Sequence, residues 1–551
     1  MKKIRIKSSH SYILIAIAAI SAILFIPGLG AVHLFDWDEL NFAESAREMI
    51  VSGDYLRVQI DYIAFWEKPP FFIWLQVLSM KMFGINEFAA RFPNAVCGIV
   101  TLMVLYGIGS RLKNQRFGLI WTLAYMVSLL PFFYFKSGII DPWFNLFIFL
   151  GIYFFIRFTA PHNATNGLKQ VALSAFFIGL AVLTKGPVGL LIFLLTFAVY
   201  LLFKRFKLRC NWRQVVLFSV TTAFVGGFWY LLLWLHGGSE LITEFINYQI
   251  RLFTTPDAGH GGFLLYHFVI LFFGVFPASI LALPVFRRNV LQTESSEEIK
   301  HFFHWQMITF WVVLILFTIV TTKIVHYSSM CYFPLTFLAA WQIDRIFEHK
   351  ATVPRYVKTL LLSVTILLTA LVGTLPFIDR LKPLFMPLID DEFTCGNLEA
   401  VSNWIGFEPL LGIILLCGIV YFFQLIKKEK TQKAFIALAC ACVFFIGGVI
   451  YTYPLQVEKY TQNAVVEFYR EKATEDCYIH PLFYTYAHYF YAGKMPEDQY
   501  ESESFLRYGK IDKPAYYVMR KDANRIAQFL SETPEAQLLY EKNGFVFFVR
   551  K

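Results

Sequence analysis

Long uninterrupted apolar runs alternate with short polar breaks along most of the chain. A helix that crosses a bilayer needs roughly 20 consecutive apolar residues. Runs of about that length recur at 11–31, 88–110, 117–135, 139–157, 168–184, 187–203, 214–235, 264–285, 302–321, 327–343, 356–376, 405–426 and 434–452. This pattern predicts a mostly α-helical polytopic membrane protein with about thirteen transmembrane helices. The first run follows Lys2, Lys3, Arg5 and Lys7 as a signal peptide would, but it lacks an A-x-A cleavage pattern and leads into further spans, which predicts an uncleaved anchor. After 452 the pattern changes. Tyr516–Met519 and Gly544–Val549 read as strands, the second preceded by the hairpin signal Glu541-Lys542-Asn543-Gly544, and Ala523–Leu530 reads as an amphipathic helix between them. The expected organisation is a membrane-embedded domain over 1–452, with a long first loop at 32–87, and a small α/β domain over 453–551.

Composition agrees. Hydrophobic residues make up 57% of the 551 and charged residues only 16%, where a soluble protein carries about 25%. A soluble enzyme, a disordered chain and a disulfide-stapled secreted scaffold are excluded. The net charge of +10 points to cytoplasmic loops rather than to nucleic acid. Clusters at Lys2/Lys3/Arg5/Lys7, Arg111/Lys113/Arg116, Lys204–Arg213, Arg287/Arg288, Arg345/Lys350/Arg355 and Lys427–Lys433 all fall on the side of the N-terminus when thirteen spans are threaded, and the positive-inside rule makes that side cytoplasmic. The outer face then receives 32–87, 236–263, the turns 136–138, 185–186 and 322–326, 377–404 and 453–551. The eight cysteines form no CxxC pair and no metal-ligand spacing. Cys395 and Cys477 both fall outside, where a disulfide is allowed, but sequence does not say whether they meet.

The outer segments are too rich in polar groups to be mere connectors. In His33-Leu34-Phe35-Asp36-Trp37-Asp38-Glu39-Leu40-Asn41-Phe42, followed by Ala43, Ala46, Met49 and Ile50 at helical spacing, a helix starting near Asp38 and lying along the membrane surface is expected. Asp36 and Glu39 have capping-box spacing, which assigns Asp36 to the cap and leaves Asp38 a free carboxylate in the first turn, sharing a face with Asn41, Ser45 and Glu48. A favourable charge at a helix N-terminus would equally explain Asp38. In Glu67-Lys68-Pro69-Pro70 the prolines pre-set an apolar helix over Phe71–Phe83, and a lysine at such a helix mouth suits a phosphate; the bland alternative is a surface ion pair. Thr184-Lys185-Gly186-Pro187 repeats that logic in a tight turn, where Lys185 would otherwise face a helix C-terminus or snorkel. Asp141 opens one span; Arg251 leads to the glycine-flanked His260; Lys323, His326 and Tyr327 precede another span. Singly these are interfacial anchors, but together they place acid–base groups and an anion site on one face.

These residues carry a resemblance. Asp38-Glu39…Phe42-Ala43-Glu44…Arg47-Glu48 resembles the Asp-Glu-x-x-Tyr-Ala-Glu signature of polyprenyl-phosphate-dependent glycosyltransferases of the GT-C class, similar to the bacterial lipid A aminoarabinose transferase and the protein O-mannosyltransferases, and Glu67-Lys68-Pro69, Asp141, Lys185-Gly186, Arg251…His260 and Lys323…Tyr327 follow in that family's order. The resemblance implies Asp38 as the catalytic carboxylate, Lys68, Lys185, Arg251 and Lys323 at the lipid phosphate, and Asp141, His326, Tyr327, Glu39 and Asn41 around sugar or acceptor. Glu67 and His260 match positions that look like a metal pair in the aminoarabinose enzyme; two ligands make a poor zinc site, so no cofactor is required and a divalent, zinc-like metal is optional. Leu40-Asn41 departs from the relatives, which often carry an arginine there.

The implied function is an inverting glycosyltransferase that moves a sugar from a polyprenyl-phosphate donor to a hydroxyl or phosphate of a glycolipid (lipid A-like), protein or glycan on the outer face of the bacterial inner membrane, with the N-terminus cytoplasmic. No nucleotide motif is present, as fits a lipid-linked donor used outside the cell. The rival classes are a transporter or flippase of lipid-linked sugars and a polyprenyl-diphosphate-dependent polymerase or ligase. Against transport, the polar groups gather at one interface with no internal repeat.

Overall fold

The computed structural model describes residues 2–160, 167–207, 211–254, 261–287, 290–292, 294–349 and 352–551. The chain is mostly helical. Among the described residues, eight helices are long and apolar enough to cross a membrane: Glu87–Leu112, Asp141–Thr159, Gly167–Lys185, Trp212–Leu235, Glu297–Ile319, Arg355–Leu388, Pro409–Lys427 and Thr431–Tyr460. A ninth forms if Tyr266–Gly274 and Ala278–Phe286, bent by 104° at their junction, count together.

The expected number of thirteen is therefore not reached by length and composition, and the reasons are local. Pro277 lacks an amide hydrogen and opens the second half of the bent pair. The run at 117–135 splits into Gln115–Met126 and Leu129–Tyr134, where the Ser128 hydroxyl turns back on the Ala124 carbonyl at 2.7 Å. Val188–Phe203 has 16 residues. The run at 327–343 begins as a 3-10 turn, Val325–Cys331, before Tyr332–His349. That last helix carries Asp344 and Glu348 into an ion-pair network with Lys113 (2.6 Å to each) and Arg116 (2.8 and 3.0 Å), joining two of the predicted cytoplasmic loops. Between the ends, rings fill the interior, as where Trp121 meets Phe149, Phe302 and Phe337 edge-on.

The first loop folds as a helix at Asp38–Ser52, a short hairpin (Gln59–Ile60 with Ile63–Ala64) and the expected apolar helix Phe71–Phe83. The helix at Asp38 is covered by protein rather than solvated on its polar face. Every residue from Glu39 to Met49 is buried, because its polar face finds internal partners. Arg47 grips Glu44 through two hydrogen bonds of 2.8 and 2.7 Å and donates to the Lys494 carbonyl at 2.6 Å. Glu48 accepts the amides of Asp61 and Tyr62 at 2.6 and 2.8 Å, which holds the hairpin turn whose two residues sit at φ 59° and 56°.

Much of what covers that helix comes from the other end of the chain. Beyond the helix Thr431–Val457, which runs through position 452, a four-stranded sheet forms. The strand Tyr478–Pro481 pairs parallel with Ala515–Arg520, which pairs antiparallel with Phe545–Arg550, itself antiparallel to Gln537–Lys542. Asn543 and Gly544, at φ 49° and 78°, make the expected tight hairpin turn. Phe545–Arg550 is buried along its whole length, with Phe547 against Phe468 on one face and Phe548 against Phe529 on the other. One apolar cluster joins Phe42 and Phe72 of the first loop to Phe468, Tyr486 and Phe547. Cys395 and Cys477 are free thiols.

Candidate active site

A cavity of about 870 Å³ opens where the first loop, several helix ends and the C-terminal segment meet. Asp38, Glu39, Asn41, Glu67, Lys68, Asp141, Lys185, Arg251, His326 and Tyr327 all line it. Groups up to 289 residues apart in sequence, Asp38 and Tyr327, thus share one chamber.

Several of these side chains are delivered by helix termini. Asp38 stands in the first turn of its helix with its side chain 40% exposed, accessible to a ligand. Asp141, at the head of Asp141–Thr159, is almost fully buried and pairs with Lys185 at 2.7 Å. Lys185 ends the next helix, Gly167–Lys185, and the chain reverses at Gly186, whose φ of +85° and 2.8 Å approach of an added Cβ to Phe245 exclude a side chain. Lys185 also lies 5.5 Å from the centre of the Tyr327 ring. His326 sits between the two acids, its Nε2 3.7 Å from Asp38 and 4.0 Å from Asp141. Burial holds its imidazole below the ordinary range, with Asp141 opposing and Lys185 assisting. The other Asp141 oxygen, Oδ2, and the Asn41 Oδ1 are buried with no hydrogen-bond partner among the described residues.

A second group gathers on Tyr248. Lys68 and Arg251 lie 5.2 Å from its ring centre, its hydroxyl donates to Glu67 at 3.2 Å, and Glu67 lies 3.6 Å from Lys68. This sets two cations against one aromatic ring.

Three expectations need correction. Lys323 does not line the cavity: its ammonium donates to the carbonyls of Phe317, Thr318 and Val320 at 3.1, 2.7 and 2.6 Å, closing the C-terminus of Glu297–Ile319. Asp36 does not cap the helix at Asp38; its carboxylate accepts the Thr485 hydroxyl and, at 3.3 Å, the Tyr486 amide. Burial raises its pKa above the usual range despite those donors. Glu39 borders the cavity, but its oxygens are committed: they bind Arg91 at 2.9 and 2.7 Å and accept the amides of Gly138 and Phe35 at 2.5 and 3.0 Å. Burial raises the Glu39 pKa, yet Arg91 and these donors bring it below the usual carboxylate range.

His260 lies outside the described residues, and Glu67 is already engaged by Tyr248 and Lys68. Among the described residues no three His, Cys, Asp or Glu side chains converge as a metal site.

The sequence reading missed Trp37, Lys136, Tyr484 and Tyr486, which also line the cavity. Lys136 carried a signal, a lone cation between two apolar runs; its ammonium donates to the Pro27 carbonyl at 2.6 Å and to Tyr451 at 3.2 Å. Tyr484 and Tyr486 carried none.

The profile of the dolichyl-phosphate-mannose-protein mannosyltransferase family matches residues 67–230. An undecaprenyl phosphate-alpha-4-amino-4-deoxy-L-arabinose arabinosyl transferase of Shewanella sediminis is 24% identical over 339 residues, 60% of this chain and 59% of that protein. One of the same description from Yersinia pestis is 24% identical over 80% of this chain and 76% of its own length. The crystal structure of ArnT from Cupriavidus metallidurans bound to undecaprenyl phosphate superposes over 98% of both chains with a TM-score of 0.77 at 18% identity. The chain shares the ArnT-like GT-C fold. That fold and the sequence similarity to proteins described as transferases support a glycosyltransferase. The matched region spans about three fifths of several of these curated relatives.

Proposed function

We propose that this chain is an inverting glycosyltransferase of the bacterial inner membrane, working on the outer face with its N-terminus in the cytoplasm. It transfers a sugar from a polyprenyl-phosphate donor to an acceptor hydroxyl or phosphate. The observation that carries this reading is the single cavity that joins an accessible carboxylate, Asp38, to Lys68, Lys185 and Arg251.

In the reaction the bond from the anomeric carbon to the donor phosphate oxygen breaks as a bond to the acceptor oxygen forms on the opposite side. An alcohol is a weak nucleophile at neutral pH, and Asp38 takes its proton, a contribution of typically 10²–10⁴-fold. The departing polyprenyl phosphate gains one negative charge. Lys68 and Arg251, preset against the Tyr248 ring, stabilise that charge as it develops. Lys185 is shared with Asp141 and adjusts between that carboxylate and the phosphate. His326, held neutral, keeps Asp38 from being quenched by a fixed positive charge. The apolar wall around Phe144, Val188 and Phe317 suits a prenyl chain entering from lipid.

The test uses the purified protein in liposomes with a radiolabelled undecaprenyl-phosphate sugar and glycolipid, peptide or glycan acceptors, scoring release of undecaprenyl phosphate. Acceptor-dependent release should fall by at least about 100-fold in Asp38→Asn, with its melting temperature unchanged. Parental turnover in that variant overturns the reading, as does translocation of the donor without release.

A further inference from the structure

Beside Asp38 the cavity wall is aromatic, and it is built from both ends of the chain. Trp37 and Tyr484 stack with ring centres 4.3 Å apart at 23°, and Tyr486 closes against Trp37 edge-on at 6.0 Å. Large rings normally hide, yet Trp37 is 42% and Tyr484 60% exposed while both face a cavity. The cluster is held rigidly. The Tyr484 and Tyr486 hydroxyls bond each other, and Thr485 between them bonds Asp36, the residue before Trp37. One turn along the helix, the buried Asn41 Oδ1 has no partner among the described residues and borders the same cavity.

Flat aromatic faces flanked by carboxylate, hydroxyl and carboxamide groups make a surface for a ring with one apolar face and a polar rim. A pyranose is such a ring. Two of the proposed phosphate cations, Lys68 and Arg251, lie against a different ring, Tyr248, and the wall adjoins the carboxylate that receives the acceptor's proton. We infer that Trp37 and Tyr484 form a stacking platform for a sugar ring of the acceptor, with Asn41 hydrogen-bonding its rim, so that the C-terminal segment selects the acceptor. This rests on the transferase reading above.

Two measurements separate the two claims. The first is saturation-transfer NMR of a soluble glucosamine disaccharide with the full-length protein in detergent, which needs no turnover. The second is the KM for a disaccharide-bearing glycolipid in the liposome assay. Trp37→Ala and Tyr484→Ala should each raise that KM about 5- to 10-fold, in keeping with one aromatic contact, with kcat within about twofold. Both should abolish the saturation-transfer signal, and Trp37→Phe should restore most of it. An unchanged KM in both alanine variants while transfer proceeds, or KM changes equally for an unglycosylated acceptor, overturns the platform. Disaccharide binding lost in Trp37→Ala without any lipid-phosphate release by the parent protein leaves the platform and removes the transferase.

Discussion

Removing Glu39 tests whether the site is held from behind. Its carboxylate and the Arg91 guanidinium form a buried fork of two hydrogen bonds, 2.9 and 2.7 Å long, and Arg91 also gathers the carbonyls of Leu29, Val32 and His33 at 2.6–2.9 Å. Glu39→Ala leaves a buried cation without its counter-charge and strands the amides of Phe35 and Gly138. Loss of one partner from a buried pair costs about 3–5 kcal/mol, because the surviving charge cannot be rehydrated. If the first loop and the C-terminal sheet melt together as a unit of 150–250 residues, each kcal/mol lowers the midpoint by about 2–4 °C. The expected drop is roughly 6–20 °C, read by tryptophan fluorescence of the detergent-purified protein. Replacing both partners, as Glu39→Leu with Arg91→Met, removes the stranded charge and should recover part of that loss, leaving the cost of three unpaired carbonyls and the two stranded amides. Transfer should fall in Glu39→Ala even well below the midpoint, since Asp38 is the adjoining residue. A Glu39→Ala midpoint within about 2 °C of the parent, or a double variant no better than the single, would refute the claim that this pair anchors the catalytic turn.

Glu48 makes stability depend on pH. Burial and the neighbouring Glu44 push its carboxyl from 4.5 up to about 8. A raised carboxyl pKa stabilises fully below pH 4.5 and loses that contribution as pH rises through about 8; midpoints measured between pH 5 and 9 should fall with rising pH, and Glu48→Gln should flatten the trend. Lys323→Met should lower stability by about 1–2 kcal/mol through the uncapped carbonyls of Glu297–Ile319, with the donor KM unchanged; a rise in that KM would return Lys323 to the phosphate.

Features decided by neighbours in sequence were legible. The two prolines before Phe71 and the apolar run after them located Phe71–Phe83 to the residue, and Asn543-Gly544 located the hairpin. Membrane character and the cavity's charged groups followed from polar residues placed against apolar runs. What failed depended on distant partners. Capping-box spacing assigned Asp36 to a local role, but Thr485 takes it. The amphipathic helix at Asp38 looked half solvated because Lys494, which receives Arg47, is far off in sequence. Run length did not show where the apolar runs break, as at Ser128 and Pro277, where one helix gives way to another. The strand Gln537–Lys542 escaped notice because all six of its residues are exposed at a sheet edge, where burial leaves no hydrophobic alternation to read.

The bond from Thr485 to Asp36 closes a separation of 449 residues. Ribosomes add about 5–20 residues per second, so roughly 20–90 s elapse between the emergence of the two partners. Throughout that interval the newborn first loop has been synthesised without its lid, and the catalytic hollow cannot assume its working shape. The wall of the hollow is therefore completed only once the residues around Thr485 have been made, and a chain stalled before them lacks the partner that holds Asp36.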